Sequence, residues 1–287
     1  MTGAARGLGR VIALTLAAEG YTLVLADVTD PAEVAAEVAA AGTGTVWPSR
    51  TDVSDEDAVR ALADGVRDRY GRADVLVNNA GVSLLEPAER TTAQAWRRVL
   101  DINLTGPFLL CREFGAQMLA AGSGAIVNVA SIAGLRGVAH RAAYNSSKHG
   151  LVGLTSTLAA EWGGRGVRIN AVCPGWIKTE MDAEDQASGG YTDTDIVDQV
   201  PMARFARPED IAAAVAFLAD PARSGFVNGV AMPVDGGWVA DASWTSLRLR
   251  ARGDGPGGGV SAGGVGPGGG VGAGRVGGGE LAGGGPE

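Results

Sequence analysis

Apolar positions along this chain alternate between two patterns. Short, nearly continuous apolar runs occur at 21–27 (YTLVLAD), 74–81 (DVLVNNAG), 124–131 (GAIVNVAS), 167–175 (VRINAVCPG) and 229–237 (GVAMPVDGG). Their length and composition predict strands buried on both faces. TVWPSRTDV at 45–53 reads as a further strand, which Pro48 assigns to an edge.

Between these runs the spacing becomes helical. One helix is predicted from about Leu8 to Gly20, which is placed to end it; another lies between Pro31 and Gly42. Ser54 is positioned to cap a helix ending near Gly71, and Thr91 with Gln94 has capping-box spacing for a long helix running to about Ala120. Further helices are expected from about Ala142 to Gly163 and from Pro208 to about Asp220. Strands alternating with helices across short connections predict an α/β fold: a Rossmann-type doubly wound parallel sheet in three α/β/α layers. Ligands of such folds bind beyond the carboxyl ends of the strands.

Composition changes this picture at one end. From about Ala251 roughly half the positions are Gly and no period survives, so 241–287 is expected to be a disordered Gly-rich tail on a working domain of 1–240. The net charge of −8 disfavours nucleic acid and anionic membranes as partners. Cys111 and Cys173 match no metal spacing and read as reduced thiols of a cytoplasmic protein. Neither His140 nor His149 has a partner at ligand spacing, so no metal is expected. Arg6 and Arg10 before VIALTLAA resemble a signal peptide, but a phosphate loop followed by an apolar helix face uses the same residues and also accounts for motifs downstream.

That loop is MTGAARGLG. Gly3, Gly7 and Gly9 permit a tight turn and close approach to a pyrophosphate at a helix N-terminus. Glycines alone are weak evidence in a Gly-rich chain. Asp27, ending the next strand, strengthens the reading, since a carboxylate there can accept from both adenosine ribose hydroxyls and repels a 2′-phosphate. Its alternative is a helix cap. Arg6 pulls the other way, towards a 2′-phosphate, unless it is solvated or paired with Asp27. Asp52 is placed to accept from an adenine amino group, and the turn at Asn79 to contact the adenosine half.

Tyr144 and Lys148 lie four apart and so on one helix face, Ser131 ends a strand shortly before them, and Asn103 sits inside a helix, where Asn is a poor former. With these residues the sequence resembles the short-chain dehydrogenase/reductase family. The matching pieces are TGAARGLG, Asp27, DV at 52–53, NNAG at 78–81, Asn103, Ser131, YNSSK at 144–148, PGWIKT at 174–179 and PVDGGW, in family order over residues 2–238.

The resemblance implies an oxidoreductase moving hydride between a nicotinamide cofactor, NAD rather than NADP, and a secondary alcohol or ketone. Tyr144 is then the general acid/base, which near neutrality asks for a phenol pKa lowered by roughly two to three. Ser131 orients the substrate oxygen, Lys148 binds the nicotinamide ribose, and Asn103 helps hold a relay water. Cofactor contacts are implied for Gly3, Arg6, Gly7, Leu8, Gly9, Asp27, Asp52, Val53, Asn79, Ala80, Gly81, Tyr144, Lys148, Pro174, Gly175, Ile177 and Thr179. The stretch 179–202 corresponds to a substrate lid, with Trp176 and Tyr191 as apolar contacts. A homotetramer, or alternatively a homodimer, is implied through the helices carrying Asn103 and Tyr144 and through the last strand.

In this family the residues before the loop form the first, central strand. Since the chain begins at the loop, the expectation is a sheet lacking that strand, with a start upstream of Met1. The rival readings are an NAD-binding protein without turnover and an N-terminally truncated inactive product.

Overall fold

Among the described residues six parallel strands alternate with helices to make up the body of the protein. The structure is a computed structural model and describes residues 1–41, 44–187, 191–243, 248–249 and 252–253. It divides into two units, Met1–Thr245 and Ser246–Glu287; most of the tail, and Gly42, lie outside the described residues.

In chain order the elements are α1 (Gly7–Ala18), β1 (Leu23–Asp27), α2 (Ala32–Ala40), β2 (Val46–Arg50), α3 (Glu56–Tyr70), β3 (Val75–Asn78), α4 (Ala93–Leu100), α5 (Gly106–Ala121), β4 (Gly124–Val129), α6 (Ala142–Trp162), β5 (Val167–Pro174), α7 (Glu180–Ala187), α8 (Asp193–Gln199), α9 (Pro208–Ala219), α10 (Pro221–Ser224) and β6 (Ala231–Val234).

The strands form two groups, β1-β2 and β3-β4-β5-β6, every pairing parallel. Among the described residues β2, which contains Pro48, pairs only with β1, as its proline predicts. Met1 and Thr2 occupy the seam between the groups. The Ala26 amide donates to the Met1 carbonyl (2.9 Å), the Thr2 amide donates to the Val77 carbonyl (3.0 Å), and Thr2 forms a parallel bridge to Ala26. The two inner edges are therefore joined over two residues at their carboxyl ends. The Met1 amine donates to the Val24 carbonyl (2.7 Å), and burial lowers its pKa to about 5.

Alternation along β4 shows how the layers pack. Val127 and Val129 join the core beneath α1 and α9, whereas Ile126 joins the core beneath α3, α5 and α6. Ile126 and Val127 are wholly buried, each contributing about 2 kcal/mol of apolar transfer. A polar chain crosses this interior: Asn78 Nδ2 donates to Asn128 Oδ1 (2.8 Å), and Asn128 Nδ2 donates to Thr155 Oγ1 on α6 (2.9 Å).

Two expected caps move by one residue. Asp55, not Ser54, caps α3, because its carboxylate accepts from the Asp57 and Ala58 amides; the Ser54 hydroxyl instead donates to Asp52. Thr92, not Thr91, caps α4, and the Thr91 hydroxyl donates to the Pro87 carbonyl. The long helix expected through Ala120 is interrupted by a π turn at Asp101–Thr105, which contains Asn103.

Candidate active site

A cleft of about 1040 Å³ runs along the carboxyl ends of the strands. It brings together every residue the sequence nominated except Asn103.

At one end lies the loop before α1. A Cβ on Gly9 would fall on the Gly3 carbonyl oxygen, and one on Gly3, itself at φ +65°, would lie 2.8 Å from the Ala80 backbone. Thr2 and Asn79 fasten this loop to the end of β3. The Asn79 and Ala80 amides donate to Thr2 Oγ1 (3.1 and 3.2 Å), and Asn79 Nδ2 donates to the Thr2 and Gly3 carbonyls (3.2 and 2.9 Å). The Asn79 side-chain amide is thus a staple of the loop, while the turn that carries it borders the cleft.

Asp27 faces the same end. Its Oδ2 accepts from the Ala5 amide and its Oδ1 from the Thr29 amide (both 2.9 Å). Two backbone bonds hold the carboxylate at the mouth, and each oxygen keeps further accepting capacity. Arg6 is exposed in the cleft, and among the described residues it forms no ion pair with Asp27. Asp52 Oδ1 accepts from the Ser54 amide and hydroxyl. Beside it Val53 packs against Gly106, where an added Cβ would meet the Val53 carbonyl at 2.9 Å.

At the other end Tyr144, Lys148 and Ser131 converge. Lys148 is 5% exposed, and its Nζ donates to the Val129 carbonyl (2.9 Å) and stands 5.7 Å from the Tyr144 ring centre. Burial lowers its ammonium to about 8. Ser131 lies beside the Tyr144 phenol and favours its ionised form, and its Oγ accepts from the Ala133 amide (3.1 Å).

The protein's own groups shift the Tyr144 pKa opposite to the direction the expected role asks for, a role that counts on the charge of an oxidised nicotinamide as well as that of Lys148. Desolvation by the cleft walls raises it above the usual value; Ser131 and the Arg141 charge oppose this without cancelling it. The protein's own groups therefore hold the phenol protonated, while the Lys148 ammonium is turned to the Val129 carbonyl.

Asn103 lies behind the cleft, wholly buried. The Val82 amide donates to its Oδ1 (2.8 Å), and its Nδ2 donates to the Val82 carbonyl (2.9 Å) and Ser147 Oγ (3.2 Å). The π turn aims this side chain at Val82, where it pins the Gly81–Val82 turn to α6. On the far wall Gly175 donates to the Val234 carbonyl (3.0 Å), Ile177 bridges to Ala206, and Thr179 Oγ1 accepts from the Asp182 amide (3.4 Å) at the start of α7.

Three residues that sequence reasoning missed, Arg141, Ser83 and Asp185, line the Tyr144 end of the cleft. Arg141, 6% exposed, donates from Nη1 to Ser83 Oγ (2.7 Å) and from Nη2 to Asp185 Oδ2 (2.6 Å). Its guanidinium stands 5.7 Å from the ring centres of both Tyr144 and Trp176. Trp176 meets Tyr191 at 5.1 Å, and the Tyr191 hydroxyl donates to Asp182 Oδ1 (3.0 Å). Arg141 stands three residues before Tyr144 on the same helix start, the one signal that could have nominated it.

A model of the family described as enoyl-(acyl carrier protein) reductase matches residues 3–239. The chain is 42% identical over 240 residues to D-threitol dehydrogenase of Mycolicibacterium smegmatis, covering 83% of this chain and 91% of that one. It is 43% identical over 242 residues to cis-4-hydroxycyclohexanecarboxylate dehydrogenase of Sinomonas cyclohexanicum, covering 84% and 95%. Among solved structures, one from Beutenbergia cavernae described as an NAD(P)-dependent gluconate 5-dehydrogenase, with NADP bound at low occupancy, superposes with a TM-score of 0.78. It is 40% identical, covering 84% of this chain and 95% of that one.

Proposed function

Because the chain belongs to the short-chain dehydrogenase/reductase family, we propose that residues 1–240 form an oxidoreductase that interconverts a secondary alcohol and its ketone, with Tyr144 as general acid/base. The observation that carries this reading is the convergence of Ser131, Tyr144 and Lys148 at one end of a cleft whose other end is a loop too tight for any Cβ at Gly9.

The cradle fits a nicotinamide dinucleotide. Gly3, Gly7, Leu8 and Gly9 offer the helix N-terminus to a pyrophosphate, and Asp27 offers accepting oxygens to a ribose. Asp52, Val53, Ala80 and Gly81 border the adenosine side, and Lys148, Pro174, Gly175, Ile177 and Thr179 the nicotinamide side. Bound there, the nicotinamide supplies the hydride acceptor or donor. The chain's own residues manage the proton: Tyr144 passes it to or takes it from the substrate oxygen, Ser131 holds that oxygen, and Asn103 keeps the Gly81–Val82 wall in register. A phenol held protonated is poised to donate, which suits the direction from ketone to alcohol.

NAD is the cofactor this reading favours, on the backbone-fixed carboxylate of Asp27; Arg6 and the NADP of the Beutenbergia cavernae protein argue for the phosphorylated form. The protein is taken to work in the cytoplasm, its thiols Cys111 and Cys173 free and buried. Among the described residues no helix is long and apolar enough to cross a membrane. A homotetramer built through α5, α6 and β6 fits the exposed Phe108 on α5 and the fully exposed Phe226 before β6; monomers in light scattering at micromolar concentration would overturn it.

Tyr144→Phe tests the core of the proposal. It should lower kcat by about 10³ or more while leaving the dissociation constant for NADH, read by its fluorescence, within about twofold. Wild-type turnover in that variant would sink the assignment, and a wild-type protein that binds NADH without turning over any alcohol or ketone would replace it with a binding function.

A further inference from the structure

The Arg141, Ser83 and Asp185 cluster is not needed to hold the cofactor or to move the proton, yet it buries a full charge in the substrate end of the cleft. Three segments build it: the loop after β3, the start of α6 and the helix α7 within the expected lid. The backbone before Arg141 is set for this. The Glu86 amide donates to the His140 carbonyl (2.8 Å), Glu86 bridges Arg141, and His140 sits at φ +59°, a conformation that a non-glycine residue adopts only when its surroundings hold it there.

The contacts close a triangle. Arg141 reaches Ser83 and Asp185, and Ser83 Oγ donates to the same Asp185 oxygen (3.2 Å). Arg141 and Asp185 are 7% and 13% exposed in their side chains, so the guanidinium's charge is already neutralised in a largely desolvated setting. Asp182, on the same helix, adds a second carboxylate to the wall.

An incoming substrate carboxylate would have to displace Asp185 from the guanidinium and remain beside two like charges. A neutral hydroxyl meets no such conflict: it can donate to a carboxylate oxygen while accepting from a guanidinium N–H, of which arginine carries five and two are engaged here. The rings of Tyr144 and Trp176, each centred 5.7 Å from the guanidinium, place this pair next to the reacting phenol.

We propose that Arg141 and Asp185 are specificity-determining residues that select a neutral polyhydroxylated substrate, a secondary alcohol carrying a neighbouring hydroxyl, over the corresponding hydroxy acid. The inference rests on the oxidoreductase reading above and names the substrate class of that site.

Three four-carbon probes test it with the full chain and NAD or NADP: 2,3-butanediol, 2-butanol and 3-hydroxybutanoate. The wild-type protein should prefer the diol to the anion by about a hundredfold in kcat/KM, and to the simple alcohol by about tenfold. Asp185→Asn, which keeps the shape and removes the charge, should narrow the diol-over-anion ratio by about tenfold. Arg141→Lys should narrow the diol-over-2-butanol ratio, since an ammonium lacks the planar fork. A merely structural role would slow all three probes alike and leave the ratios unchanged, overturning the inference. So would equal or better use of 3-hydroxybutanoate by the wild type, which leaves the oxidoreductase reading standing. No turnover of any probe or of a wider alcohol and ketone panel, despite NADH binding, would instead remove that reading and this inference with it.

Discussion

In the loop half of the cleft the polar side chains are spent mainly on backbone amides and carbonyls, whereas in the Tyr144 half Arg141, Ser83 and Asp185 are spent on each other. Asp27 bonds to the Ala5 and Thr29 amides, Asp52 to Ser54, and Asn79 to the Thr2 and Gly3 carbonyls. Arg141 instead meets the side chains of Ser83 and Asp185, and Lys148 buries its charge against the Val129 carbonyl. Backbone geometry is cheap to bury because it is already hydrogen-bonded. Buried side-chain charge opposes stability and persists only where a partner, or a task, holds it.

Substitutions at Lys148 should separate the halves most widely. Lys148→Met should lower kcat/KM by about 10³, yet raise the unfolding free energy at pH 7 by about 2 kcal/mol, the relief of a buried charge less one lost hydrogen bond. Burial lowers this ammonium from 10.5 to about 8, so between those values the unfolded chain keeps a proton that the folded chain has released. Stability contributed here is smallest below pH 8 and rises with pH across the window. Urea titrations at pH 7 and pH 10 read both effects: the variant should be the more stable at pH 7, and its advantage should shrink at pH 10. A destabilised variant at pH 7 would mean the charge is well accommodated.

Gly9→Ala strikes the other half. With its Cβ directed onto the Gly3 carbonyl, the loop must open, and NADH affinity should fall by about a hundredfold. Calorimetric titration measures this; near-native affinity would show that the loop is not the cradle. Asp27→Asn removes charge while leaving an acceptor, so the ratio of kcat/KM with NAD to that with NADP should fall by about tenfold. An unchanged ratio would transfer the choice of cofactor to Arg6.

The smallest expected effect is the displacement of a pH limb. Ser131 lowers the Tyr144 phenol, so Ser131→Ala, besides slowing turnover, leaves the phenol higher. Alcohol oxidation needs the deprotonated phenol, and its acid limb should therefore move to higher pH. A limb that stays in place would show that another group titrates.

Legibility followed the same division. Gly3, Gly7, Gly9 and Asp27 could be read because a tight turn, a helix start and a strand end are encoded within about 25 residues. Tyr144 and Lys148 could be read because i,i+4 spacing places them on one face of α6. The caps Asp55 and Thr92 were displaced by one position because neighbouring Ser, Thr and Asp residues compete for the same amides. Asn103 was noticed as out of place in a helix, but its π turn and its bonds to Val82 depend on a loop 21 positions away.

By itself, then, the amino-acid order determined the alternation of strands and helices, the glycine cradle and the Tyr–Lys face, since each follows from local backbone preference and the period of apolar burial. Only the tertiary structure decided that Met1 and Thr2 stitch the two strand groups together, that Asn78, Asn128 and Thr155 share one buried chain, and that Arg141, Ser83 and Asp185 close on one another. Those partners are distant in sequence, and what selects them is the cost of leaving a polar group unpaired once packing has removed the water.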